Sequence, residues 1–397
     1  MELKRRTRSA KPIDAFSAPA KRPRWPRRAL ISVSVLLVPA LVLGGAGWFY
    51  VNYQLGKITR IHVSHLVTAK PGQPMNILLI GSDSRSFVGD NQKLASEVGS
   101  GSWVTGQRSD VIIVVRLVPK TTGIEMLSIP RDTWVPIAGA GTSNRINAAL
   151  NTGPGELVQT IEQDFHIPIN HFVEANFPGF TAMVSALGGI HLNFPERVKD
   201  NETGLNIKTT GCQLVTGPQA LQLVRSRDLW YYAHGQWNYD GMGDYSRIRR
   251  QQAFFHAVIN QADAEFPNVL AIDRFISAAT HAFAVDSGFS SGLMRDLALQ
   301  YRGVASSHLD TNVLVNTEAV YQGADILLPV WRTDRLAVDH FLSFGTTPVA
   351  GHTSTSTSPT TSTSTTTTTT LPVTGTTSVP VVDNSKNYPE PWNPVPC

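Results

Sequence analysis

Charge is absent from 23 consecutive residues, Ala29 to Val51 (ALISVSVLLVPALVLGGAGWFYV). At about 1.5 Å per residue such a helix spans roughly 34 Å, enough for a bilayer core. A cleaved signal peptide is the rival reading, but its apolar region is about 7–15 residues, and this run continues into the interfacial pair Trp48 and Tyr50. The expectation is one uncleaved transmembrane helix. Positive charge is equally scarce where a nucleic-acid-binding domain would need it. Residues 1 to 28 hold ten Lys/Arg against Glu2 and Asp14, so the formal charge of +4 leaves −4 on the other 369 residues. The basic pI belongs to a tail, and no nucleic-acid partner is expected. With the basic cluster ahead of the apolar run, the positive-inside rule puts the N-terminus in the cytoplasm and the rest outside the cell membrane.

Other chemistries lack their parts. The only close histidine pair, His62 and His65, has no evident third ligand, which argues against zinc. No GxSxG elbow or readable His/Asp pairing supports a serine hydrolase. LPVTG (Leu371 to Gly375) matches a sorting pattern, but no apolar span with basic residues follows it. Of the two cysteines, Cys212 and Cys397, both would lie in an oxidising space that permits a disulfide. Two unpaired thiols remain the alternative.

What is present is a long alternation of strand-like and helix-like segments. NILLIG (76–81), SDVIIVVRLVP (109–119) and GIEMLSIP (123–130) are apolar and rich in β-branched residues, which reads as buried strands. KTTG makes the second and third antiparallel neighbours. Helical spacing marks GELVQTIEQDF, FPGFTAMVSALGG and DYSRIRRQQAFFHAVINQADAEF, the last with Asp244 as N-cap. These elements predict a single α/β sandwich with a mixed central sheet. The organisation is a cytoplasmic tail (1–28), an anchor (29–51), a stalk (52–74), a catalytic domain (75–344) and a Ser/Thr/Pro-rich disordered tail (345–397).

Charge interrupts this apolar pattern in four places, each at the end of an element: Asp83 and Arg85 in GSDSR; Arg108 and Asp110 in RSD; Arg131 and Asp132 in PRD; and Arg225 and Arg227 in RSR with DYSRIRRQQ beyond. If the first two strands pair antiparallel, Asp83 and Asp110 meet on one edge. Two oxygen donors beside phosphate suit Mg²⁺ or Mn²⁺. On a helical wheel, with Arg247 at 0°, Arg250 falls at roughly −60° and Gln251 at roughly 40°, beside the core-facing stripe, while Arg249 points away. A lone helix of this kind is ordinarily a solvated basic face. Seven guanidiniums near element ends, in a domain of negative net charge, instead suggest a pyrophosphate-and-metal site.

At these residues the chain resembles the LytR-CpsA-Psr family, envelope phosphotransferases of Gram-positive bacteria. The segments NILLIGSDSR, RSDVIIVVRLVPKTTGIEMLSIPRD, NRINAAL, HFVEANFPGFTAMVSALGGI, LVTGPQALQLVRSRD and DYSRIRRQQ carry the resemblance. It implies transfer of a glycopolymer from a polyprenyl-pyrophosphate carrier to a peptidoglycan hydroxyl, forming a phosphodiester. By the same resemblance Asp83 and Asp110 hold Mg²⁺, and Arg108 and Arg131 brace the pyrophosphate. Arg225, Arg227, Arg247 and Arg250 complete the cradle, Gln251 orients it, and an apolar pocket between sheet and helices takes the lipid. Arg85 is a further candidate for the pyrophosphate, and the proton acceptor is Asp132 or a metal-bound carboxylate. The chain departs from the family pattern in two inserts, 86–107 and the aromatic DLWYYAHGQWNY. Its aromatics either stack on sugars, cover the lipid mouth, or simply pack a loop. A polyprenyl-pyrophosphate hydrolase and a non-catalytic carrier-binding regulator are the competing functions.

Overall fold

The computed structural model describes residues 45, 47–82, 109–265, 269–304, 306–345 and 392–397. Residues 45 and 47–50 are helical and belong to a separate unit, Met1–Tyr50. Among the described residues no helix is long and apolar enough to cross a membrane, and most of the apolar run 29–51 lies outside them.

The unit Val51–Cys397 is built on a seven-stranded sheet. Its strands are β1 (Thr59–Ile61), β2 (Met75–Ser82), β3 (Ser109–Val118), β4 (Gly123–Ser128), β5 (His171–Asn176), β6 (Phe283–Asp286) and β7 (Leu309–Val313). They lie in the order β1-β6-β5-β2-β3-β4-β7. β2, β3 and β4 run antiparallel to their neighbours in that trio, while β5 joins β2 and β7 joins β4 in parallel. The sheet is therefore mixed, as the apolar runs predicted. Leu78, Ile80, Ile112, Val114 and Leu127 are buried on one face together with Leu157, Ile161 and Phe165 of α1 (Pro154–Phe165). On the other face Ile113, Met126 and Leu309 pack with Phe255 and Ile259 of α4 (Gly243–Glu265). Burying both faces is what turns the strands into near-continuous apolar runs.

A second apolar cluster sits under the helices α2 (Phe177–Ala186) and α3 (Gly217–Arg225) and α4. Asn176 caps α2, its Oδ1 accepting from Gly179 N–H at 2.7 Å. Gly179 allows α2 to approach α5 (Val269–Ala282): a Cβ there would lie 2.0 Å from Ala282 Cα. Two further helices, α6 (Ser291–Gln300) and α7 (Trp331–Ser343), complete the layers.

Two boundaries differ from the sequence expectation. Residues 52–74 are not merely a stalk, because Thr59–Ile61 forms the edge strand β1, parallel to β6, and Ile58 and Val63 are buried. The short strand has too few residues to stand out by alternation; its partner, more than 200 residues away, defines it. The tail expected to be disordered from 345 to 397 ends in structure. Val395–Pro396 pairs antiparallel with Ile190–Phe194, Trp392 stacks on Tyr231 at 4.1 Å, and Cys397 is bonded to Cys212 with 6.0 Å between the Cα atoms. The final six residues have what the Ser/Thr tract lacks: an aromatic ring, a strand partner and a covalent tie.

Candidate functional site

The site is assembled where several chain segments leave the same end of the sheet. The β2–β3 ladder closes with Ser82 opposite Ser109 and a register shift after Gly81. Ser82 and Ser109, and with them the backbone of residue 110, lie at this end of the sheet. Asp83, Arg85 and Arg108 lie outside the described residues, as does the insert 86–107, and Asp110 is described by its backbone alone.

The PRD turn follows β4 and is held tightly by its own backbone. Thr133 donates its hydroxyl to Pro130 O at 2.6 Å, Asn147 N–H donates to Arg131 O, and Leu327 N–H donates to Asp132 O. A small hairpin, Trp134–Pro136 against Ser143–Arg145, then sets Arg145 opposite Trp134 and returns it to the turn. There Asp132 becomes a hub. Its Oδ2 lies 3.4 Å from Arg131 Nε and 3.7 Å from an Arg227 amino group, and its Oδ1 lies 3.5 Å from Arg145 Nε. Arg227 also reaches Asp244 Oδ1 at 3.2 Å, and Asp244 Oδ2 accepts from Arg247 at 2.9 Å across one turn of α4.

The result is one connected cluster of four guanidiniums (Arg131, Arg145, Arg227 and Arg247) around two carboxylates. Among the described residues, the ion pairs of this cluster link the four guanidiniums through the two carboxylates. Arg227 is the most open, with 44% of its side chain exposed, and Arg247 is nearly closed off at 3%. Cations held partly out of water by a rigid scaffold attract an anion more strongly than solvated ones. Arginine forks suit phosphate oxygens, which accept two parallel N–H bonds. Asp132, with both oxygens taken up by guanidiniums, is placed to position the arginines.

Behind this cluster lies a second, closed one. Arg250 is fully buried; it donates to Asp240 Oδ2 at 3.0 Å and to Ser226 O at 2.8 Å. Burial lowers its pKa, and the neighbouring Asp240 opposes that shift. Ser226 donates its hydroxyl to Asp200 Oδ2 at 2.6 Å, and Asp228 N–H donates to the same oxygen. Gln251 donates to Val224 O at 3.0 Å. Arg250 and Gln251 thus do not line the open cluster as the helical wheel suggested; they grip the RSR loop from below and so aim Arg225 and Arg227. The wheel gave their angle on α4 but not the loop that folds over them.

Arg225 faces a different environment, its guanidinium 4.7 Å from the centre of the Phe177 ring. Phe177 belongs to the second apolar cluster, so the charged site borders an apolar one at this point. The structure brings together Arg131, Asp132, Arg227 and Arg247 of the expected set, adds Arg145 and Asp244, and places Arg250 and Gln251 in support. Asp244 opened the charged segment DYSRIRRQQ but was read only as a helix N-cap, and Arg145 stood within NRINAAL without a charge pattern of its own.

The profile of the LytR_cpsA_psr family matches residues 52–336. The chain belongs to the LytR_cpsA_psr family. Among relatives, it is 33% identical over 235 residues to the polyisoprenyl-teichoic acid–peptidoglycan teichoic acid transferase TagU of Halalkalibacterium halodurans, covering 59% of this chain and 67% of that one. It is 31% identical over 281 residues to the probable cell wall biosynthesis protein LcpB of Corynebacterium glutamicum, covering 70% of this chain and 63% of LcpB. The crystal structure of B. subtilis TagV superposes with a TM-score of 0.54 at 26% identity, covering 70% of this chain and 98% of TagV. The mixed-sheet α/β fold is thus the one this family adopts.

Proposed function

We propose that this LytR_cpsA_psr protein is a phosphotransferase that moves a glycopolymer from a polyprenyl-pyrophosphate carrier to a hydroxyl of peptidoglycan. The observation that carries the reading is the convergence of four guanidiniums, Arg131, Arg145, Arg227 and Arg247, with Arg227 exposed, near the sheet end where β2 and β3 part. The related TagU is named for transfer of teichoic acid to peptidoglycan, and the same class of reaction fits here.

Pyrophosphate chemistry needs charge stabilisation and alignment more than covalent help from the protein. Arg131 and Arg227 grip the phosphate oxygens, with Arg145 and Arg247 completing the positive field, and Asp132 and Asp244 keep these forks from dispersing. The acceptor hydroxyl attacks the glycan-side phosphorus and gives its proton to a carboxylate of the site, a new P–O bond forms, the bridging P–O bond breaks, and lipid phosphate leaves. The apolar side beginning at Phe177 and Arg225 takes the first isoprene units. The two oxygen donors of Asp83 and Asp110, expected at one sheet end, have the chemistry for Mg²⁺ or Mn²⁺. Such an ion would neutralise developing charge on the phosphates. The protein works at the outer face of the cell membrane, held by the apolar segment 29–51 with its N-terminus in the cytoplasm.

Product analysis tests the reading and separates it from hydrolysis. With a polyprenyl-pyrophosphate-linked saccharide and peptidoglycan strands, saccharide becomes attached to the strands through a phosphodiester. Release of saccharide phosphate at equal rates with and without strands overturns the transferase and leaves a hydrolase.

A further inference from the structure

The aromatic insert forms a structure of its own. Trp230–Ala233 and Gln236–Tyr239 make a hairpin. Its two-residue turn, His234 and Gly235, has positive φ at both positions, the geometry that matches strand twist. The hairpin adds to Arg197–Asp200 and Leu205–Ile207, giving a four-stranded antiparallel sheet. Residues directly opposite one another share a face. Trp230 stands opposite both Tyr239 and Lys199, and Tyr232 opposite both Trp237 and Arg197. One face therefore carries four aromatic rings and two cations. The other carries Val198, Leu205, Ile207 and Tyr231, which pack into the second apolar cluster.

The outer edge of the aromatic face is open: Trp230 is 37% and Tyr239 49% exposed. The Arg197 guanidinium lies 3.8 Å over Tyr232, and the Lys199 ammonium 4.3 Å over Trp237. Among the described residues neither cation makes an ion pair with a carboxylate. Lifted on rings, they present donors outward from a flat surface. The face also abuts the arginine cluster. Tyr239 OH donates to Asp228 Oδ1 at 3.1 Å, and Asp228 directly follows Arg227.

We propose that this sheet face binds the acceptor, a peptidoglycan strand, and presents its hydroxyl to the arginine cluster. The inference rests on the transferase reading and names the surface that reading lacks. The donor has an anchor, since its pyrophosphate gives the guanidiniums two charged groups to hold. A neutral acceptor hydroxyl gives them nothing, so its orientation must come from elsewhere. Flat rings at Trp230 and Tyr239 suit the apolar faces of pyranose sugars. Arg197 and Lys199 suit the carboxylates that peptidoglycan carries on its peptides. A polyol-phosphate donor polymer would satisfy the cations but leave the exposed rings without a counterpart.

The test uses the full-length protein, soluble sonicated peptidoglycan strands, and poly(glycerol phosphate) as a comparison, with tryptophan fluorescence and calorimetry as readouts. Strands bind; Trp230→Ala and Arg197→Gln/Lys199→Gln each weaken binding by tenfold or more; in the transfer assay both raise the acceptor KM while leaving the donor KM and the saturated rate within about twofold. Unchanged strand affinity in both variants overturns the proposal. So does preferential binding of poly(glycerol phosphate) over strands, which would make the face a donor surface. Because binding is read without turnover, a protein that binds strands but transfers nothing refutes the transferase reading while retaining the surface.

Discussion

Two arginine-carboxylate clusters lie on either side of one loop and are composed of the same kinds of side chain, yet they differ in exposure: Arg250 is closed off and Arg227 is open. Behind the RSR loop, Arg250 faces Asp240, with Asp200 close by, and the groups are spent on Ser226, on backbone N–H groups and on each other. In front of it, four guanidiniums share two carboxylates. A buried charge is tolerated only when paired and hydrogen-bonded, so the rear cluster is closed by necessity. A site that accepts an anion has to be open to it, and Arg227 of the front cluster has 44% of its side chain exposed. The rear cluster holds the loop, and on the proposed function the front one holds the ligand.

The largest effect is expected at the rear. Arg250→Ala strands Asp240 in the interior and costs about 3–5 kcal/mol of stability, visible as a lower denaturant midpoint; a change under about 1 kcal/mol would break the distinction. At the front the loss is catalytic. Arg131→Ala and Arg227→Ala each lower the transfer rate by roughly 10²–10³-fold, the scale seen when one donor to a developing oxyanion is removed, with the unfolding transition in place. Retained transfer in both would show that the front cluster is structural as well.

The C-terminal strap is a control, since its disulfide joins neither cluster. Cys212→Ser opens the link to Cys397, 185 positions away, and lowers stability by about 2–4 kcal/mol while the folded enzyme keeps its transfer rate. Loss of Trp392 stacking on Tyr231 reports the release in fluorescence.

Asp334 sharpens the comparison from a third direction. It accepts from Val315 N–H at 2.8 Å and is 1% exposed, but among the described residues no cation lies at ion-pair distance. Burial pushes its carboxyl from 3.8 up to about 6, against the pull of the Val315 and Val330 backbone bonds. Between these values the folded protein retains a proton that the unfolded chain releases, so stability falls as pH rises through the window. Asp334→Asn removes that fall and gains about 1–2 kcal/mol relative to the wild type between pH 4 and 7. An equal difference at both pH values would mean the carboxyl is not protonated in the folded state.

Much of this architecture was legible in the chain. The runs at 76–81, 109–119 and 123–130 became β2, β3 and β4 because strands buried on both faces must be apolar throughout. Helical spacing likewise located α1, α2 and α4. Arg131, Asp132, Arg227 and Arg247 stood out as charge at element ends. Arg145 did not, because a three-residue strand has no periodicity and its approach to Asp132 depends on a hairpin. Arg250 was visible but misplaced: its burial comes from the 226–240 segment folding over α4, a long-range event that no helical angle encodes. The docking of 392–397 is equally non-local, since Val395 finds its partner at Asn193.

On the proposed function, the front cluster holds the carrier's pyrophosphate while the glycan-side phosphate passes to an acceptor. The most direct measurement follows a polyprenyl-pyrophosphate-linked saccharide, labelled on the glycan-side phosphorus, in the presence of peptidoglycan strands. The label should move onto the strands with the wild type and fail to move with Arg131→Ala or Arg227→Ala. Label that stays with the lipid, or appears only as free saccharide phosphate, would contradict transfer at this cluster.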